Sequence, residues 1–244
     1  MPIAGITQGL AIGGGTSATI NGLPGGGGGF VNASSALLDG TDDDLYLDSA
    51  ISLSGAFTIS FWWQYTGGSN IPVLASTGTA TLLYLYEILG ANYYILARNC
   101  GTITTGSGMW AADTWYNMVY TRDGSNDTEL YLNGTSIGTS SHSGAVSIRQ
   151  FGRSATTNPF GGNFDELALW ASALSDSDRQ GMRGGASAGS LGAPADLDEL
   201  SATPIHWWRC GDGSDSGTTS YDVGSATAVN MELRNGAAFS SVVP

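Results

Sequence analysis

From about residue 34 onward, short apolar runs follow one another with turn residues between them: ALLDGTDDDLYL, AFTISFWWQY, IPVLAST, TLLYLYEIL, NYYILA, WYNMVYTRDG, TELYLNGTSIG, VSIRQFG and FDELALW. In FTISFWW, Phe57, Ile59, Phe61 and Trp63 alternate with Thr58, Ser60 and Trp62, the period of a half-buried strand. Asp123-Gly124 and Asn133-Gly134 supply turns between such runs, because Gly and Asn tolerate positive φ. The pattern predicts an antiparallel meander. One short helix stands out, at LSDSDRQGM: Ser175 is placed to cap it, and Asp176 and Asp178 sit in the first turn, where the helix dipole favours negative charge. Gly184-Gly185 ends it.

Four segments emerge. Residues 1–33, rich in Gly, Ser, Thr and Ala, predict an arm without a core of its own. Residues 34–182 carry the strands, and 183–203 are linker-like, with one helical turn at ADLDEL. Residues 204–244, opening on IHWWRC, predict extra strands on the same sandwich, since some 40 residues seldom fold alone. At 244 residues, one all-β domain is the default.

The stretch GGNFDELALW, residues 161–170, sets two adjacent carboxylates inside a strand. Simple alternation puts Asp165 on the face of Leu167 and Leu169, and Phe164, Glu166, Ala168 and Trp170 on the other. One acid therefore points inward, where it must be compensated by hydrogen bonds or a metal.

Charge then narrows the function. Twenty-one acids against eight basic residues give −13, and all eight are arginine. A phosphate backbone or an anionic lipid surface is repelled, so neither nucleic acid nor membrane is an expected partner. Without lysine there is no Walker A loop, Schiff base or lysine base, and GGGTSATINGLPGGGGGF reads as a flexible segment. No long apolar span and no Sec-type leader follow Met1, which predicts synthesis in the cytoplasm. Cys100 and Cys210 fit one disulfide or two free thiols.

The order of LLDGTDDDLYL, SGAFTISFWWQY, WYNMVYTRDG with ELYLNGTSIG, and FGGNFDELALWASALSDSD, across residues 34–182, resembles the laminin-G-like or pentraxin-like domains of the concanavalin A-like lectin and glucanase superfamily. The resemblance implies an all-β fold, an antiparallel jelly-roll sandwich of two sheets. HWWRCGDGSDSG and VGSATAVNMELRNG are similar to segments that follow the domain in members carried by bacteriophages. The resemblance also implies a structural Ca²⁺ held by Asp165 with Asp39 and the carbonyl of Gly40; the alternative is that Asp165 merely accepts backbone N–H bonds.

Hydrolysis in this superfamily needs two carboxylates about 5–10 Å apart across the sugar bond. Glu87 stands alone on its run, Glu129 lies beside a turn, and Asp165 and Glu166 alternate to opposite faces, so no enzyme is expected. His142 and His206 lack a nucleophile elbow or zinc spacing. Binding remains: among the seven tryptophans and ten tyrosines, Trp63, Trp115 and Trp170 are assigned to packing, and Trp62, Trp110, Tyr93 and Tyr94 are the candidates for stacking on sugar rings. The expectation is a lectin-like structural or adhesive protein of a phage virion surface, joined to other virion proteins through residues 1–33, open to host polysaccharide and to self-association. A free bacterial carbohydrate-binding module or adhesin, at the cell surface or exported without a leader, is the alternative; a glycoside hydrolase is the third.

Overall fold

The computed structural model describes residues 30–68, 73–88, 92–155 and 157–244, with the backbone alone for 86–88 and 92–94. The expected glycine-rich arm thus falls almost wholly outside the described residues. In chain order the strands are β1 (Ser35–Asp39), β2 (Asp44–Leu53), β3 (Phe57–Gly68), β4 (Val73–Ser76), β5 (Thr81–Ile88), β6 (Asn92–Ala97), β7 (Ile103–Thr104) and β8 (Trp115–Arg122). They continue with β9 (Asp127–Leu132), β10 (Thr135–Ser141), β11 (Val146–Phe151), β12 (Phe160–Trp170), β13 (His206–Trp208), β14 (Thr219–Ser220), β15 (Met231–Arg234) and β16 (Ala238–Ser240).

Two antiparallel sheets form the sandwich. One runs β10-β9-β8-β3-β12-β1-β16 with β13 also on β12; the other runs β14-β15-β2-β11-β4-β5-β6-β7. Phe57, Ile59, Phe61 and Trp63 face Leu45, Leu47, Phe151 and Leu85 within one buried cluster, and Phe61 meets Phe151 and Phe164 edge-on at 6.0 and 5.9 Å. The fold is therefore an all-β jelly-roll-type sandwich with one short α-helix. The C-terminal segment contributes to both sheets: β13 pairs with β12, β16 with β1, and β15 with β2.

Helix α1 spans Asp176–Gly181, and Ser175 Oγ accepts the N–H of Asp178, the cap its sequence predicts. A 3-10 turn at Leu197–Glu199, capped by Asp196, occupies ADLDEL. Strand β3 departs from the half-buried expectation, because both of its faces are buried. After β12 the chain returns across the outer face: Thr58 Oγ1 donates to the carbonyl of Ser172 and accepts from the N–H of Leu174, and Ser60 Oγ meets Met182 Sδ at 3.3 Å.

Candidate functional site

Strand β12 does not alternate simply. Its register against β3 runs Phe164↔Trp63 and Asp165↔Trp62, then resumes at Ala168↔Ser60, so Glu166 and Leu167 together oppose Phe61. Glu166 takes φ +46°, the left-handed conformation of a β-bulge. The extra residue resets the parity. Phe164, Leu167 and Leu169 all enter the core, whereas Asp165 lies on the outer face beside Trp62. The expected sharing of a face by Asp165, Leu167 and Leu169 is thus corrected. The other edge of β12 is shared by β1, which stops at Phe164, and β13, which starts at Leu167, leaving the bulge at their junction.

The two acids converge there instead of diverging, which corrects their assignment to opposite faces. Asp165 is 0 % exposed and Glu166 2 %. Trp207 Nε1 donates to Glu166 Oε2, and Arg209 Nε reaches Oε1 at 3.3 Å. Arg209 also donates to the carbonyl of Val31, while Asp212 accepts the N–H of Ala33 at 2.9 Å, so the chain entering β1 is tied to the same cluster. Asp165 Oδ1 accepts the N–H of Glu166 at 2.8 Å; Oδ2 is buried with no hydrogen bond of normal geometry, although the Asn32 side chain pulls the carboxyl down. Burial, then the Glu166 charge, pushes the Asp165 carboxyl well above its ordinary range. Burial raises Glu166 to about 7, against the opposing pull of Arg209 and the Trp207 bond.

The proposed calcium ligands do not meet. Asp39 pairs with Gly161, whereas Asp165 lies four residues further along β12, about 13 Å at strand rise. One ion with oxygen ligands at about 2.3–2.6 Å cannot bind both. Asp39 instead gathers with Asp42 and Asp43, whose carboxylate oxygens lie within 4.8 Å of one another. Asp39 Oδ1 accepts the N–H of Thr41 at 2.7 Å, Asp43 Oδ2 accepts that of Asp39 at 2.8 Å, and Asp43 Oδ1 is buried with no hydrogen bond of normal geometry, although the Ala237 N–H also pulls the Asp43 carboxyl down. Burial raises the Asp43 carboxyl above its ordinary value, and Asp39 and Asp42 add to the rise. Gly40 allows this turn, since at φ +80° an added Cβ falls 3.0 Å from Gly68 Cα and 3.2 Å from Gly161 Cα.

Two of the four aromatic candidates are removed by burial. Trp62, 2 % exposed, lies between Asn117 and Asp165 in the register of the sheet. Trp110, 3 % exposed, packs edge-on against Trp63 at 6.1 Å and Tyr65 at 5.3 Å. Neither offers a ring face to a sugar. Tyr93 and Tyr94 lie on β6, and their side chains, like that of Glu87, are outside those described. Trp63 and Trp170 are buried as packing residues, and Cys100 and Cys210 are free and buried. His206 is structural: Nδ1 bonds Asp222 Oδ2 at 2.6 Å and its ring stacks on Trp208. Asp212, Arg209 and Trp207 were missed as site neighbours; only the density of acids and Trp in HWWRCGDGSD pointed to them, and Asp222, which holds His206 and the Trp207 N–H, lies outside that run.

Sequence and structure comparisons agree with this architecture. The family model described as the concanavalin A-like lectin/glucanases superfamily matches residues 39–178. No curated protein sequence matches. A Bacteroides ovatus protein to which carbohydrate binding is provisionally ascribed superposes with TM-score 0.54 at 13 % identity, over 83 % of this chain and 60 % of its own. This chain therefore spans less than two thirds of that protein. A heptameric SAP-like pentraxin from Limulus polyphemus gives TM-score 0.48 at 12 % identity, over 71 % of this chain and 92 % of the pentraxin. Domain 4 of the arabinanase AbnA from Geobacillus stearothermophilus, solved with arabinotriose, gives 0.45 at 16 %, over 60 % and 75 %.

Proposed function

The chain belongs to the concanavalin A-like lectin/glucanases superfamily, and on that premise we propose that it is a non-hydrolytic glycan-binding module with a structural or adhesive role. The superfamily joins lectins to glucanases, and the state of the carboxylates favours the first. A glycosidase needs two acids flanking an accessible sugar bond. Here the adjacent pair on β12 is sealed under the C-terminal segment, with Glu166 already engaged by Trp207 and Arg209. That observation carries the reading. Glu129, a further hydrolytic candidate beside Glu87, is hydrogen-bonded by the Tyr131 hydroxyl.

The module is placed on a phage virion surface, attached through residues 1–33. This placement rests on the likeness of HWWRCGDGSDSG and VGSATAVNMELRNG to phage-borne segments and on the glycine-rich lead-in. Calcium is assigned to Asp39, Asp42 and Asp43, in place of the set that included Asp165. Three hard oxygen donors within 4.8 Å of one another, one of them on the buried Asp43, suit Ca²⁺, which would supply counter-charge that fixes the turn after β1. Mass spectrometry of purified particles, with the order of neighbouring genes, tests the placement: the chain is expected in the particle. Its absence there, with genes of an export system alongside, would establish the free bacterial adhesin instead.

A further inference from the structure

The outer face of the β8-β9-β10 end of the sandwich carries a built groove. Register brings Thr121, Glu129 and Thr139 into one cross-strand row, and Val119, Tyr131 and Ser136 into the next. Leu130 and Leu132 point into the core, so Glu129 and Tyr131 necessarily face outward. Helix α1 stands beside them and closes a recess of about 700 Å³ lined by Glu129, Tyr131, Ser136, Asp176, Arg179 and Gln180. A second recess of about 350 Å³, with Thr121, Asp123, Asp127 and Thr139, adjoins it through the shared Glu129. From Asp127 to Tyr131 the two cover about 13 Å of strand, a length suited to a short oligosaccharide.

Its polar groups are held in place. The Tyr131 hydroxyl donates to Glu129 Oε2, the Arg179 guanidinium lies 4.1 Å over the Tyr131 ring, and Arg179 is fixed by Asp176 and the carbonyl of Leu174. The face therefore presents one oriented carboxylate flanked by the Thr121 and Thr139 hydroxyls, with Ser136 and Thr135 exposed above it. Such a row accepts from and donates to adjacent sugar hydroxyls. Charge selects among sugars: four carboxylates (Asp123, Asp127, Glu129 and Asp176) line the two recesses against Arg179 and Arg183, and both guanidiniums are already bonded within the protein. An anionic sugar meets net repulsion.

We propose that this groove between the β9-β10 hairpin and α1 binds neutral polysaccharide, with Glu129 as the central hydrogen-bond acceptor. The inference rests on the glycan-binding reading and adds to it a site and a class. The test is affinity electrophoresis of the full chain in gels containing dextran, mannan, galactan or arabinan, with alginate and polygalacturonate as anionic probes. Glu129→Gln removes the charged acceptor; Ser136→Trp, at an exposed position, fills the groove without touching the core. At least one neutral polymer is expected to retard the wild type, with at least tenfold weaker binding by both variants at unchanged melting temperature. Retention of full affinity by both variants overturns the groove and leaves glycan binding standing. Binding of the anionic polymers alone overturns the neutral class, and retardation by no polymer overturns the glycan-binding reading and the groove with it.

Discussion

Glu166 makes folding stability depend on pH in an unusual direction. Its carboxyl is buried and titrates near 7 in the folded chain, against an ordinary 4.5. Between those values the unfolded chain has released the proton and the folded chain retains it, so the unfolded state binds fewer protons and stability falls as pH rises. Below 4.5 both states are protonated, and above about 7 both are ionised, so the loss is confined to that window. At about 1.4 kcal/mol per pH unit the interval amounts to about 3 kcal/mol. For a domain of this size that corresponds to roughly 6–12 °C in melting temperature. Asp165, raised by the same burial, acts in the same direction. Urea unfolding at closely spaced pH values, in wild type and Glu166→Gln, measures the effect. The amide retains an acceptor for Trp207 Nε1 but cannot ionise, so the variant should lose less stability across the window and be the more stable protein above pH 7. A wild-type profile that is level or rises from pH 4.5 to 7 would refute the reasoning.

At lower pH the sign reverses. Asp178 and Asp222 are opposed by burial but held below 3.8 by bonds from Ser175 and Ser201, and from His206, respectively. Stability should therefore fall again as pH drops below about 4, less steeply in Asp178→Asn, as read from the same urea series. Calcium should raise the melting temperature of chelator-treated protein, and Asp43→Asn should abolish the response in differential scanning fluorimetry. Arg122, fully buried, donates to the carbonyls of Gly55, His142 and Gly144 and lies 4.7 Å over Phe57; Arg122→Met should cost about 3–5 kcal/mol in urea unfolding. Gly40→Ala should cost about 1–3 kcal/mol by the same assay, because φ +80° and the 3.0 Å approach to Gly68 both oppose a side chain.

The sandwich was legible because its signals are local. The alternation in FTISFWW, the Gly-containing turns and the Ser175 cap each depend on neighbours within a few residues, and each has its counterpart in β3, the β9-β10 hairpin and α1. The site was less legible because its geometry depends on distant segments. A single added residue in the β12 bulge reverses the parity of Asp165, and nothing in DELALW marks that insertion apart from the two adjacent acids. Trp62 reads as an exposed alternate of a half-buried strand, yet it is buried on the outer face where Ser172 and Met182 bond back onto Thr58 and Ser60 of the same strand. The outer groove arises from cross-strand register and from α1 packing beside β9, neither of which is encoded at adjacent positions.

The most direct test incubates the wild-type chain with a neutral polysaccharide that retards it and follows binding and new reducing ends in one sample. Saturable retardation with no reducing ends above the protein-free control is the predicted result. Reducing ends that accumulate with wild type and vanish with Glu129→Gln would contradict it, establishing a glucanase in which Glu129 carries the chemistry.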